Sequence, residues 1–229
     1  MKSKLRSPEE IIIEGKILRE ILDRHKIWLQ TNHLDGEKAD LSEADLHEVD
    51  LSETNLCEAN LSKARLSWAI LTEAVLLKVN LSGADLRGAD LTGANLAEAN
   101  LSNTNLHRAF LEVTQLGGAD FSKADLSEAD LSESDMQGAN LTGANLCEAD
   151  LGFANLSGAI LCMANLTMAD FWEANLYKAD LKGATLQRAD LRKTNLYPYQ
   201  LKEVILSNNT IMMDGTKYDE SWAKRIAEA

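Results

Sequence analysis

Four histidines and three cysteines are the side chains of this 229-residue chain best suited to hold a metal or act as nucleophiles. Their spacing supports neither. His25, His33, His47 and His107 lack ligand spacing, and Cys57, Cys147 and Cys162 do not form the paired pattern of a zinc site. The cysteine intervals have no disulfide logic either, so reduced thiols are the default. Serine is abundant, but it recurs at a fixed place after a leucine, so a Ser/His/Asp triad would be a chance meeting. The glycines keep the same frame and form no phosphate-binding loop. The sequence therefore predicts no enzyme, no metal and no cofactor. Carboxylates outnumber cations, 36 to 23, for a net charge of −13 and a sequence pI of about 4.8. That balance disfavours direct binding of nucleic acid or an anionic membrane. No apolar stretch reaches the length of a membrane span, and no signal-peptide core follows the basic Met1-Lys2-Ser3-Lys4, so a cytoplasmic protein is expected.

The frame behind those serines and glycines has a period of five. From Leu41 to Leu206 every fifth residue is Leu, Phe or Met: 34 positions, 31 of them Leu, the others Phe121, Met136 and Phe171. A helix turning about 100° per residue would smear these positions around its cylinder. A straight strand, with its period of two, would send alternate ones to opposite faces. The pattern fits a chain that turns a corner within each pentad and returns every large apolar residue to one interior, as in a β-solenoid whose coils stack about 4.8 Å apart. Two residues before this centre stands Ala in 25 pentads, a small partner on the same interior side. Between them Asp or Asn occupies 25 pentads, facing out, where a short polar side chain bonds nearby backbone and supports a turn. Two exposed residues follow, the second often Gly or a charged residue. Burying a Leu contributes roughly 1.5–3 kcal/mol, so the ladder supports a stable rod with few aromatics.

This A(D/N)LSx frame, as in Ala84-Asp85-Leu86-Arg87-Gly88, resembles the pentapeptide-repeat family over about three quarters of the chain. The resemblance implies an all-β solenoid, a right-handed quadrilateral parallel β-helix with four pentads per coil. At the sheet spacing, eight and a half coils give roughly 40 Å of rod. The expected organisation is residues 1–38 as N-terminal capping helix and linker, 39–208 as β-helix, and 209–229 as a C-terminal strand, turn and short helical cap.

The ends need cover, because open sheet edges invite aggregation. Ser7-Pro8-Glu9-Glu10 reads as a helix N-terminus, and Ile11, Leu18, Ile21, Leu22, Trp28 and Leu29 as its apolar stripe. Tyr197-Pro198-Tyr199 interrupts the repeat. Thr210 to Thr216 reads as a last strand and turn, and Asp219 as the cap of a short helix carrying Trp222 and Ile226. A terminal helix that binds a partner is the alternative. In relatives that inhibit DNA gyrase such a segment mediates dimerisation, so the resemblance implies a monomer or an end-to-end homodimer.

With four pentads per coil, residues twenty apart share a face. His47 and His107 then lie about 14 Å apart, too far for one metal. The face centred on Leu51, Leu71, Leu91, Leu111, Leu131, Leu151, Phe171 and Leu191 carries Asp50, Glu53, Glu73, Asp90, Glu112, Asp130, Glu133, Asp150, Asp170, Glu173 and Asp190 against only Arg192 and Lys193, a net −9. The other faces come to −1, −2 and −1, and the next one prefers Asn at the place of the Asp. The acidic face and its preceding corner also hold Trp68, Ile70, Phe110, Val113, Phe153, Met168 and Trp172 at outward positions. Phe153, Met168 and Trp172 are expected to cluster. A clustered apolar set marks a contact surface, unless it covers strand edges or supports a docked terminus. The candidate partner-binding residues are Trp68, Ile70, Asp90, Phe110, Glu112, Asp130, Glu133, Asp150, Phe153, Met168, Asp170, Trp172, Glu173 and Asp190. Like charge disfavours a side-by-side homodimer, and a basic or mixed-charge protein fits better. Two functions follow: a non-enzymatic interaction scaffold, or a DNA mimic that occupies a DNA-binding enzyme such as gyrase, as some family members do. Eleven acids over roughly 34 Å is about one per 3 Å, near the phosphate repeat of one DNA strand.

Overall fold

The computed structural model describes residues 5–229. Its body is a coil in which each outward Asp or Asn position makes a parallel bridge to the residue twenty further on. Asp40 pairs with Asn60, Asn60 with Asn80, and the series continues on every side to Asp170 with Asp190 and Thr185 with Ile205. Twenty residues per coil means four pentads per coil.

The corners explain the period. In each pentad the amide two residues before a centre donates to the carbonyl of the preceding centre, as Ala64 N–H does to Leu61 at 3.1 Å. This closes a four-residue turn whose third residue has positive φ, as type II turns require. Glycine fills that place at Gly83, Gly88 and Gly93, but Glu, Lys, Arg, Trp, Met, Phe and Val occupy it as well, with φ near 60°. Backbone bonds between coils then hold the corner, as Glu43 N–H to Ser62 O at 2.9 Å. The Asp or Asn before each centre folds its Oδ1 onto the amide two residues ahead, as Asn95 does with Ala97 at 3.1 Å. Inside, the centres from Leu41 to Leu191 and their small partners Ala39 to Ala189 form one continuous buried core. Thr104, Thr114, Ser134 and Thr194 replace Ala with their hydroxyls satisfied by backbone carbonyls.

The N-terminal segment differs from the expected helix. Ser7 to Glu10 is a turn closed by Glu10 N–H to Ser7 O. Ile12–Ile13 (β1) and Lys16–Ile17 (β2) then form an antiparallel hairpin. The helix α1 begins only at Leu18 and runs Leu18–Gln30. Three consecutive isoleucines favour extended backbone, and Glu14 and Gly15, at φ 50° and 82°, supply the two left-handed residues of a tight hairpin turn. Arg6 pairs in parallel with Val49, extending the sheet by one residue beyond the first coil. Leu18, Leu22 and His25 form the buried stripe of α1. His25 Nδ1 accepts the Ala39 N–H at 3.1 Å, and burial pushes its imidazole below the ordinary histidine pKa. Trp28 stacks on His25 and His33, at 5.6 and 3.8 Å between centroids.

At the other end the pentads loosen in two steps. Pro198–Leu201 forms a 3-10 turn in which buried Gln200 donates to Leu176 O and Ala179 O, both at 2.9 Å. After Leu206 the chain gains one residue, so Ile211 pairs with Asp190 at a step of 21, and Met212, fully buried, stands where a centre would be. Ile211 then pairs antiparallel with Lys217. Asp219 caps α2 (Glu220–Glu228), accepting from Ser221 and Trp222 amides at 2.9 and 3.0 Å, and Trp222 and Ile226 are its buried residues.

Candidate partner-binding face

One side of the rod carries a single unbroken column, Asp50, Ile70, Asp90, Phe110, Asp130, Asp150, Asp170, Asp190 and Ile211, each bridged to the next. Its Asp residues use Oδ1 locally: Asp130 accepts from Ser132 N–H and Oγ–H, Asp150 from Gly152 N–H, and Asp170 from Trp172 N–H. The lateral bond is missing. On the other sides an Asp is followed one coil later by an Asn whose Nδ2 donates to it: Asn140 to Asp120, Asn145 to Asp125 and Asn155 to Asp135, each at 2.9 Å. Asn165 and Asn175 extend two of these ladders. On the acidic side Asp130, Asp150, Asp170 and Asp190 follow one another with no such donor.

Cations compensate only one end. Arg192 Nε donates to Asp190 at 2.9 Å and Lys193 Nζ to Glu173 at 2.6 Å. The Asp190 carboxyl lies below its usual pKa range, the Arg192 hydrogen bonds outweighing burial. Both cations also cover Trp172, with Arg192 Cζ 4.6 Å and Lys193 Nζ 4.3 Å from the ring centroid. Trp172 is therefore half-buried beneath the chain's own cations. Among the described residues, no ion pair involves Asp50, Glu53, Glu73, Asp90, Glu112, Asp130, Glu133, Asp150 or Asp170.

The apolar residues stand at two edges and in the column between them, so Phe153, Met168 and Trp172 do not form one cluster. Phe153 and Trp172 share a corner, with Phe153 N–H bonded to Trp172 O at 2.8 Å. Met168 lies at the opposite corner, since the turns at 167–168 and 172–173 bracket Asp170. Trp68 occupies that same opposite corner further up and lies across Gly88, where an added Cβ would collide with the indole. Phe110 sits in the column itself between Asp90 and Asp130, and Ile70, half-buried, between Asp50 and Asp90. Phe110 is 48% exposed, Val113 57% and Phe153 56%. Val113 and Phe153 also hold left-handed backbone at φ 56° and 59°, an outlying conformation for bulky and especially β-branched residues. Sequence reasoning missed the covering of Trp172, because a cation reaching back across a coil has no signature at pentad spacing.

Among the described residues no group of three or more His, Cys, Asp or Glu is placed to hold a metal ion. The cysteines are free and half-buried, and burial raises each thiol pKa, the direction that disfavours the thiolate. No helix among the described residues is long and apolar enough to cross a membrane.

A four-pentad coil with stacked Asx turns and a Leu/Ala interior defines a pentapeptide-repeat solenoid, and the comparisons agree. The model of pentapeptide repeats matches residues 39–76, 76–112, 124–161 and 163–197. The chain belongs to the pentapeptide-repeat family. Among solved structures it is similar to HetL, a pentapeptide repeat protein involved in heterocyst differentiation regulation in the cyanobacterium Nostoc sp. strain PCC 7120, with 28% identity, 90% of this chain and 100% of that chain covered, and a TM-score of 0.51. A pentapeptide repeat protein of the Arabidopsis thaliana thylakoid lumen shares 28% identity over 62% of this chain and 89% of its own, with a TM-score of 0.36. QnrB1, a plasmid-mediated fluoroquinolone resistance protein, shares 17% over 84% and 88%, with a TM-score of 0.38. No curated protein gives a significant sequence match.

Proposed function

We propose that this protein is a non-enzymatic scaffold of the cytoplasm that binds another protein through its acidic, aromatic-edged side. One observation carries the reading: the Asp130, Asp150 and Asp170 stack, with no Asn donor and no ion pair among the described residues, is edged by exposed bulky residues at left-handed corners. Stacked like charges, exposed apolar surface and unfavourable φ each oppose stability, and they coincide on one side. DNA mimicry toward an enzyme such as gyrase draws on the same charges. Ile70 and Phe110 break that series and Arg192 and Lys193 neutralise its end, so a mixed apolar and basic protein partner fits better.

The test is a pull-down at low salt with the intact chain as bait. Phe110→Ser with Phe153→Ser is expected to lose the captured partner, while Ile160→Ser with Met163→Ser, equally exposed on another side, keeps it. Raising salt should release the partner, because exposed charges are screened. Equal retention by both variants would remove this side as the contact surface.

A further inference from the structure

Resting on that reading, we infer that the partner presents arginine side chains, held in the way this chain already holds Arg192. At the C-terminal end of the acidic side a guanidinium lies 4.6 Å from the Trp172 ring centroid while its Nε bonds Asp190 at 2.9 Å. That side of the rod thus takes a cation between a ring and a carboxylate, and it does so with its own residues.

Toward the N-terminus the same ingredients recur, and apart from Glu173, which Lys193 holds, no ion pair occupies their carboxylates among the described residues. Phe153 stands in a corner column between Glu133 and Glu173, joined by the Glu133–Gly152 and Phe153–Trp172 backbone bonds, and Asp150 and Asp170 lie alongside in the column. Phe110 is likewise flanked by Asp90 and Asp130. The donor that Asn supplies on the other three sides is absent here, which leaves these carboxylates open to N–H groups of a partner. Arginine supplies them better than lysine. Its planar fork matches a carboxylate with paired donors, stacks on an aromatic face and sheds its hydration more readily.

Titration with a fluorescent hexa-arginine peptide, beside hexa-lysine, tests this on the full chain. Asp130→Asn/Asp150→Asn/Asp170→Asn is expected to weaken hexa-arginine binding by about tenfold or more, the value of one or two charge-assisted bonds. Asp120→Asn/Asp125→Asn/Asp135→Asn makes the same charge change on the other three sides and should weaken it by less than about threefold. Asn already stacks on Asp or on Asn at equivalent column positions elsewhere in the rod, so folding is preserved. Removing the resident cations (Arg192→Ala/Lys193→Ala) should tighten binding, whereas Lys63→Ala/Lys123→Ala on another side should not. Equal effects of the paired variants, or hexa-lysine binding as tightly as hexa-arginine, would overturn the inference. A partner lost from the Phe110→Ser/Phe153→Ser bait, alongside failure of the peptide, would refute the arginine mode and leave the scaffold reading intact.

Discussion

Phe171→Ala is expected to destabilise the rod by about 3–5 kcal/mol, whereas Phe171→Leu should cost no more than about 1.5 kcal/mol. Phe171 is fully buried, one of the largest such side chains in the core. Alanine there leaves a cavity inside a coil whose neighbours are pinned above and below by the Leu151–Asp170 and Phe171–Asp190 backbone bonds. They cannot collapse into the gap. Leucine is the centre in the other seven pentads of this side, so the interior is already shaped for it. Because each coil contacts only its neighbours, the Ala variant should unfold first in its C-terminal coils. Urea denaturation followed by circular dichroism gives the free energies, and hydrogen exchange locates the loss. Equal costs for Ala and Leu would mean that the interior is not packed as described.

Removing five residues is expected to harm binding more than removing twenty. Deleting 116–120 leaves a legal junction, with Thr114-Gln115 running into Phe121-Ser122, and every later centre still points inward. Yet each later residue moves one side around the rod, so the stack from Asp130 to Asp190 falls beneath Asn105, and Phe110 meets Asp135. The chain folds with its acidic side cut in two. Deleting 61–80 joins Asn60 to Leu81 and removes a whole coil, with Trp68, Ile70 and Glu73, but keeps Asp90 through Asp190 in line. With hexa-arginine as probe, the five-residue deletion should bind about tenfold more weakly and the twenty-residue deletion within about threefold of the intact chain. The opposite order would show that total charge, not its alignment, governs binding.

How far the residues alone reach is visible in such junctions. The period of five requires corners, an interior of Leu over Ala and an outer Asp or Asn, and all three are present because each follows from one repeated turn. Four pentads per coil needed the family resemblance, since any number of corners returns Leu to the axis. The hairpin at Ile12–Ile17 was hidden because Ser7-Pro8-Glu9-Glu10 carries the same side-chain logic in an isolated turn as in a helix start. Its true signal, three β-branched residues before Glu14-Gly15, competes with a helical stripe that becomes real only from Leu18. The extra residue before Ile211 is equally local: Thr210, fully buried, keeps the small interior place while Ser207 to Asn209 widen the corner. On the acidic side, charge was readable at twenty-residue spacing. The capture of Trp172 by Arg192 and Lys193 and the separation of Met168 from Phe153 were not, because they depend on how side chains lean between coils.

Underlying the whole account is a column of carboxylates kept against the stacking habit of the other three sides. Thermal unfolding of Asp150→Asn/Asp170→Asn measures that directly. The two introduced asparagines would donate to the positions one coil before them, as Asn145 and Asn165 do now, and three like-charge contacts about 4.8 Å apart, Asp130–Asp150, Asp150–Asp170 and Asp170–Asp190, would vanish. Each contact is worth about 1 kcal/mol in water before screening and each new bond about 1 kcal/mol, so the midpoint should rise by several degrees, about 2–4 °C per kcal/mol for a chain of this size. A midpoint that falls would contradict it: the aspartates would then be serving the fold, and no surplus charge would be waiting for a partner.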